Sequence, residues 1–91
     1  MKISFATRLK EELVKIKQKK PNLFRKIQKQ LKLFREDPKY PSLKNHRLTG
    51  PLKKSYSISI EGNIRMIYHI DEDEAIFSSI GTHDQVYREK K

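Results

Sequence analysis

The side chains of this sequence best suited to acid-base chemistry are its three histidines, His46, His69 and His83. A histidine has a reference pKa near ~6.5, so it can give or take a proton at neutral pH. His46 comes before a predicted β-meander and His83 follows its last strand, and strand ends are where a sheet presents functional groups. His69 lies between apolar neighbours inside a predicted strand, and we interpret it as structural. His46 and His83 are therefore the candidate general acid and base.

Cationic and aromatic side chains accompany these two histidines. Arg65 offers a planar guanidinium that suits phosphate, and Tyr87 can stack on an unpaired base or donate its hydroxyl. The set fits metal-free RNA cleavage, in which a base deprotonates the 2′-hydroxyl and an acid protonates the leaving 5′-oxygen. We expect His46, Arg65 and His83 to meet in a groove beside the open face of the sheet. The predicted RNA-binding residues are Arg47, Lys53, Lys54 and Asn63.

Each of these residues also has a structural interpretation that the sequence leaves open. Arg65 could lie on the solvent face of its strand, Tyr87 could close the core, and His46 could be an ordinary loop residue. A histidine at the end of a strand is more often structural than catalytic.

Length and composition restrict the class of protein. A chain of 91 residues with 35% hydrophobic residues is expected to form one domain over residues 1–91. No apolar run approaches the ~18 to 20 residues of a membrane span, and no signal-like stretch follows Met1, so we expect a soluble cytoplasmic protein. The lack of cysteine excludes disulfides and thiolate metal sites, and the histidines lack zinc-ligand spacing. We therefore expect no metal and no cofactor.

Positive charge is concentrated in the first half of the chain. The net charge is +10, and residues 1–54 hold 17 lysines and arginines against 4 acidic residues. Such an imbalance is typical of a protein that binds nucleic acid or an acidic partner. The alternative is a solvated basic surface on ordinary helices.

Periodicity predicts an α+β fold. An alternating stretch over 1–5 predicts a strand, and apolar residues at helical spacing predict helices over 7–20 and 22–36. Residues 39–54 read as a loop, and a three-stranded antiparallel meander follows at 55–60, 64–70 and 75–81. Alternation along the last strand places Ala75, Phe77 and Ser79 on one face and Ile76, Ser78 and Ile80 on the other. We expect the two helices to cover one face of the sheet, with the N-terminal strand at an edge.

The sequence of residues 46–87 resembles the C-terminal half of RelE/ParE-superfamily toxins, and in particular the YafQ-like branch. The resemblance rests on "HxLxG" from His46, on "RMIY" from Arg65 and on the ending "IGTHDxVY", and the two helices match the family's helical hairpin. It implies an endoribonuclease of a type II toxin-antitoxin system that cuts mRNA in the ribosomal A site. It also implies a cognate antitoxin as partner, neutralising the toxin by wrapping a partly disordered segment across the basic face.

The same resemblance assigns roles to individual residues. His83 matches the branch's catalytic histidine after the last strand, and His46 matches its histidine before the meander. Tyr87 falls on its C-terminal aromatic position, and Arg65 matches a phosphate-contacting arginine of RelE relatives. The chain departs from the branch where Ser59, Asn63 and Ser79 replace a histidine, an aspartate and an arginine, and where Ser57 and Ser59 replace lysines of RelE relatives. Two alternatives follow: a ParE-like toxin that binds DNA gyrase, and a non-catalytic relative that only binds RNA or an antitoxin.

Overall fold

The computed structural model describes residues 2–48 and 55–82, which form two helices and a five-stranded mixed sheet. The expected α+β class is confirmed. In chain order the elements are β1 Lys2–Phe5, α1 Thr7–Lys19, α2 Pro21–Glu36, a 3-10 helix at Pro41–Leu43, β2 His46–Arg47, β3 Ser55–Glu61, β4 Ile64–Asp71 and β5 Glu74–Thr82.

The helical hairpin follows from the spacing of apolar residues and from one proline. Leu9 on α1 and Ile27 and Phe34 on α2 are buried, and they recur at helical spacing. Pro21 is the first residue of α2, where its fixed φ suits a helix and its missing N–H is not needed. The break between the helices is therefore a single residue, Lys20, and the two helices pack against each other.

The sheet has the order β1-β5-β4-β3-β2, so the predicted meander forms its centre. β1 pairs in parallel with β5 and lies at an edge, as expected. The loop predicted over 39–54 is wrong at His46 and Arg47, which pair antiparallel with Ser57 and Tyr56 as the short strand β2. Two residues carry no detectable alternation, so only pairing with β3 defines this strand.

The core lies between the helices and one face of the sheet, and its centre is aromatic. The Phe34 ring of α2 meets Tyr68 of β4 edge-on at 4.9 Å and Phe77 of β5 at 5.4 Å. All three side chains are buried, together with Leu43 from the 3-10 helix. The core thus ties the loop before β2 to the same layer as the helices.

The predicted faces of β5 are wrong after Phe77, because the strand contains a β-bulge. Tyr68 pairs with Phe77 but Ile67 pairs with Ser79, so Ser78 is an extra residue and the alternation shifts by one. Ile80 consequently packs against the core, whereas Ser79 lies opposite Ile67 on the face away from the helices. The sequence places Ser79 with Phe77 because strict alternation takes no account of a bulge.

Within residues 2–48 and 55–82, neither helix has the length and apolar character needed to cross a bilayer.

Candidate active site

Arg65 makes several hydrogen bonds on the sheet face away from the helices. It leaves β4 and crosses β3, where its Nε donates to Ser57 Oγ at 2.8 Å. Its Nη2 lies 3.2 Å from the Ser57 carbonyl and 2.8 Å from the Lys44 carbonyl. The side chain is only 8% exposed, so these acceptors replace water around a buried charge. Arg65 therefore fastens the segment before β2 to the centre of the sheet.

His46 lies at the end of this guanidinium. Its Nδ1 is 3.3 Å from Arg65 Nη2 and 3.4 Å from the Lys44 carbonyl. A guanidinium can only donate and a carbonyl can only accept, so Nδ1 either accepts from Arg65 or donates to Lys44. In the first state the neutral ring carries its proton on Nε2, and in the second Nε2 carries the lone pair. The partner of Nδ1 thus decides whether Nε2 is a proton donor or acceptor.

Side-chain hydrogen bonds from Gln30, Asn45 and Arg65 hold the segment that precedes His46. Gln30, buried on α2, donates through Nε2 to the Ser59 carbonyl at 2.9 Å and to the Ser42 carbonyl at 3.3 Å. Asn45 donates through Nδ2 to the Pro38 carbonyl at 3.0 Å and to the Tyr68 hydroxyl at 2.7 Å. Together with the Arg65 contact, these bonds fix the backbone on which the His46 ring is mounted.

The Tyr68 hydroxyl is neutral at neutral pH, and its pKa is raised. Burial raises the pKa of its hydroxyl, the hydrogen bond from Asn45 lowers it, and the neighbouring Tyr56 raises it, and the net shift is upward. Tyr56 stacks on the Tyr68 ring with centroids 5.3 Å apart and planes 17° apart. The carbonyl oxygen of the Asn45 side chain is buried, and within residues 2–48 and 55–82 no group donates a hydrogen bond to it.

Serines occupy the rest of this sheet face near Arg65. Ser57 and Ser59 are buried on β3, opposite Ile67 and Arg65 respectively, and Ser79 on β5 lies opposite Ile67. These are three of the four positions, with Asn63, at which the resemblance leads us to expect other residues. The side chains of these serines are small and neutral. Among the described residues next to Ser57, the charged or titratable groups are therefore Arg65 and His46.

The other predicted site residues divide into two groups. Arg47 is exposed beside His46 on β2, whereas Asn63 is exposed in the turn between β3 and β4. Because β3 advances ~3.3 Å per residue, the span from Ser57 to the turn alone separates Asn63 from His46 by roughly 13 Å or more. His83, Tyr87, Lys53 and Lys54 lie outside the described residues, so their expected positions stay predictions.

The sequence did not single out Ser57, Asn45 and the Lys44 carbonyl as supports of the site. No motif links them, because they contact Arg65 and Tyr68 only after β2 and β4 have both joined β3. The positive φ of Lys44, 45°, turns its carbonyl toward Arg65, and nothing in a lysine signals that conformation.

No cluster of three or more histidine, cysteine, aspartate or glutamate side chains with metal-binding geometry occurs in the part of the chain that the structure describes.

Comparison with known proteins places this geometry in a family. The family model described as "Bacterial toxin of type II toxin-antitoxin system, YafQ" matches residues 1–88. The chain belongs to the YafQ toxin family. The expected RelE/ParE-superfamily relationship, YafQ-like branch, is confirmed. A search of curated proteins found no match to this YafQ-family chain.

Solved structures share the fold of this YafQ-family protein. YafQ from E. coli strain BL21(DE3) is 21% identical, with a TM-score of 0.73 over 93% of this chain and 96% of that one. YoeB in its complex with YefM from Staphylococcus aureus is 23% identical, with a TM-score of 0.75 over 91% and 97%. RelE in the RelE-RelB complex from Pyrococcus horikoshii OT3 is 12% identical, with a TM-score of 0.69 over 89% and 92%. The two helices and mixed sheet described above are thus the fold of these toxins.

Proposed function

We propose that this YafQ-family toxin is a ribosome-dependent mRNA endoribonuclease, an mRNA interferase, that cuts RNA without a metal ion. The observation that carries the proposal is the 3.3 Å contact between Arg65 Nη2 and His46 Nδ1, because it places an imidazole directly against a guanidinium on the open sheet face. In the proposed reaction the 2′-oxygen forms a bond to phosphorus, the bond from phosphorus to the 5′-oxygen breaks, and a 2′,3′-cyclic phosphate remains.

His46 is assigned the proton-donating side of this reaction. With Nδ1 accepting from Arg65, the neutral ring presents Nε2–H, which can donate a hydrogen bond to a phosphate oxygen. Transfer of a proton to the leaving 5′-oxygen uses the imidazolium, in which Nδ1–H donates to the Lys44 carbonyl and Nε2 gives up its proton to leave the neutral ring. His83 is assigned the base that removes the 2′-hydroxyl proton, and Tyr87 a stacking or proton-relaying partner. The sequence motif around residues 78–87 and the family membership support these two assignments.

Arg65 is a positioning residue in this scheme. Its described hydrogen bonds go to Ser57, to the Lys44 carbonyl and to His46, and they hold the imidazole at a fixed distance from β4. Its charge also lies beside the site where negative charge develops on the phosphate. Arg47, Lys53 and Lys54 would bind the RNA backbone, and Asn63 would contact RNA beyond the histidine pair.

The proposed partners are mRNA, the ribosome and a cognate antitoxin. YoeB and RelE form complexes with the antitoxins YefM and RelB, which supports an antitoxin partner for this chain. The positive charge of residues 1–54 suits both an acidic antitoxin segment and RNA.

Three matched histidine variants test the mechanism. Induction of the wild type is expected to stop growth and to produce mRNA fragments ending in a cyclic phosphate. We expect His46→Gln and His83→Gln each to slow mRNA cleavage about 100-fold or more, since a positioned acid or base contributes on the order of 10²- to 10⁴-fold. His69→Gln, the same exchange two residues before the end of β4, is expected to keep full activity. Circular dichroism and thermal melting establish that all three variants are folded.

Two results would contradict this proposal. Growth arrest with intact mRNA and with gyrase-dependent DNA breaks would identify a ParE-like toxin instead. Full cleavage by both His46→Gln and His83→Gln would contradict the acid-base assignment, although the protein would still be an endoribonuclease.

A further inference from the structure

A groove of about 420 Å³ opens directly beside His46. Its lining includes His46 itself together with Lys39, Tyr40, Lys44, Arg47 and Tyr56. The volume falls within the range of roughly 300 to 1,000 Å³ that small-molecule sites occupy. The mechanism proposed above uses His46, and Arg47 as a contact to the RNA backbone, but assigns nothing to Lys39, Tyr40 or Tyr56 in this groove.

Three tyrosines line the groove, Tyr40, Tyr56 and Tyr68, and they differ in exposure. Tyr40 is 44% exposed, which leaves part of its ring surface available to a planar ligand. Tyr56 is partly buried and is held against the Tyr68 ring, 5.3 Å away and nearly parallel to it. The groove thus offers a fixed ring on the sheet and an exposed ring on the loop.

The loop that carries Tyr40 is held by two hydrogen bonds to Asp37. The Lys39 N–H donates to Asp37 Oδ1 at 3.0 Å, and the Tyr40 N–H donates to the Asp37 carbonyl at 3.0 Å. Pro38 and Pro41 fix φ on either side of Tyr40. A site that is already ordered loses less entropy when a ligand binds.

The charge of the groove selects an anionic ligand. Lys39, Lys44 and Arg47 line it, and no carboxylate does so among the residues that the structure describes. Cations beside exposed aromatic rings are the combination that binds single-stranded nucleic acid, in which bases stack on rings and phosphates pair with lysine or arginine.

We propose that this groove, defined by Lys39, Tyr40, Lys44, Arg47 and Tyr56, binds one unpaired nucleobase and its phosphate in the RNA strand that passes His46. Tyr40 stacks on the base and Arg47 contacts the phosphate. The inference rests on the proposed RNA-cleaving function and adds a subsite to it. An RNA strand suits the groove better than an acidic peptide, because His46 is among the lining residues and the proposed function brings an RNA phosphate to His46.

Binding of an RNA that cannot be cut tests the groove separately from catalysis. The probe is a short fluorescein-labelled 2′-O-methyl oligoadenylate, and its affinity is measured by fluorescence anisotropy at several salt concentrations. Because loss of one base-stacking ring typically weakens binding by ~1–3 kcal/mol, Tyr40→Ala is expected to raise Kd about 5- to 150-fold. Tyr40→Phe keeps the ring and is expected to stay within about 2-fold of the wild type.

A pair of arginine variants isolates the phosphate contact. Arg47→Gln is expected to weaken binding and to reduce the slope of log Kd against log salt by about 0.7, as expected for one lost phosphate contact on a single strand. Arg25→Gln removes the same charge from an exposed position on α2, remote from the groove, and is expected to leave both quantities nearly unchanged.

A measurement on the wild type alone supplies a second test. Titration of adenosine 5′-monophosphate, followed by nuclear magnetic resonance, is expected to shift the ring signals of Tyr40 and Tyr56 before those of other aromatic residues. No saturable binding, or equal affinity of Tyr40→Ala and wild type for the oligoadenylate, overturns the subsite. So does a Tyr40→Ala variant that loses antitoxin binding but keeps RNA binding. Since the probe is never cleaved, these outcomes do not depend on the histidine variants above.

Discussion

Arg65 Nη2 lies 3.3 Å from His46 Nδ1 although the two residues are nineteen positions apart in the chain. The contact depends on three strands, because Arg65 starts on β4, crosses β3 at Ser57 and reaches β2 at His46. The same guanidinium also binds the Lys44 carbonyl. The orientation of a histidine at the sheet edge is therefore tied to the stability of the sheet centre.

Replacing Arg65 by lysine is expected to damage both stability and activity. Lysine keeps the charge but has one compact ammonium, which cannot reach Ser57 Oγ and the Lys44 carbonyl at once. We expect Arg65→Lys to lower the free energy of unfolding by about 2 kcal/mol, measured by urea denaturation, and to reduce mRNA cleavage. Arg25→Lys, on the exposed surface of α2, serves as the control with no expected change. An Arg65→Lys protein as stable and as active as the wild type would show that the fork is dispensable.

Ser57→Ala is expected to destabilise the fold more than its size suggests. The Ser57 side chain is fully buried, and its removal leaves Arg65 Nε without the acceptor at 2.8 Å. A buried charged donor without a partner costs roughly 1 to 3 kcal/mol. Thermal and urea denaturation measure the loss. Ser42→Ala is the matched control, because Ser42 is exposed and its backbone carbonyl makes its contact with Gln30. Equal losses of stability in Ser57→Ala and Ser42→Ala would contradict the role of Ser57 as the acceptor for Arg65 Nε.

Gln30→Met tests the bond between α2 and the site loop. The change keeps the length of the side chain but removes the donor that serves the Ser59 and Ser42 carbonyls. We expect a loss of about 1 to 2 kcal/mol in urea denaturation and faster hydrogen exchange in the loop of residues 37–45. Gln28→Met, the same change on the exposed side of α2, is expected to alter neither. Unchanged exchange in the loop of Gln30→Met would mean that other contacts hold it.

Tyr68→Phe is expected to change how stability depends on alkaline pH. Burial raises the pKa of Tyr68 above the usual value near 10 in the folded state, so the unfolded chain ionises first as pH rises. The stability from the neutral phenol is full below about pH 10 and is lost as pH rises through the folded-state pKa. Tyr68→Phe should lower the free energy of unfolding by about 1 kcal/mol at neutral pH, because the Asn45 hydrogen bond is lost. It should also reduce the loss of stability at alkaline pH.

Urea denaturation at a series of pH values measures both effects of Tyr68→Phe. Tyr40→Phe supplies the control, since that ring is exposed. An alkaline decline that is equally steep in Tyr68→Phe and the wild type would remove Tyr68 as its source.

The periodicity of the sequence was sufficient to predict the helices, the meander and the edge position of β1. Apolar residues at spacings of three and four in a helix, or of two in a strand, determine which face of the element must be buried. This pattern can be identified within each element by itself. The short motifs were likewise sufficient to predict the family. Pro21 limited the hairpin connection to Lys20 because proline can begin a helix but cannot continue one.

The tertiary structure alone decided the strand β2, the bulge at Ser78 and the contact between Arg65 and His46. A two-residue strand exists only through its pairing with β3, and an extra residue in β5 becomes visible only in the register with β4. The tyrosines of the groove beside His46 come from a loop and a strand, so no spacing in the sequence relates them. Elements separated along the chain acquire relative positions only when the core closes, and the site is formed by those positions.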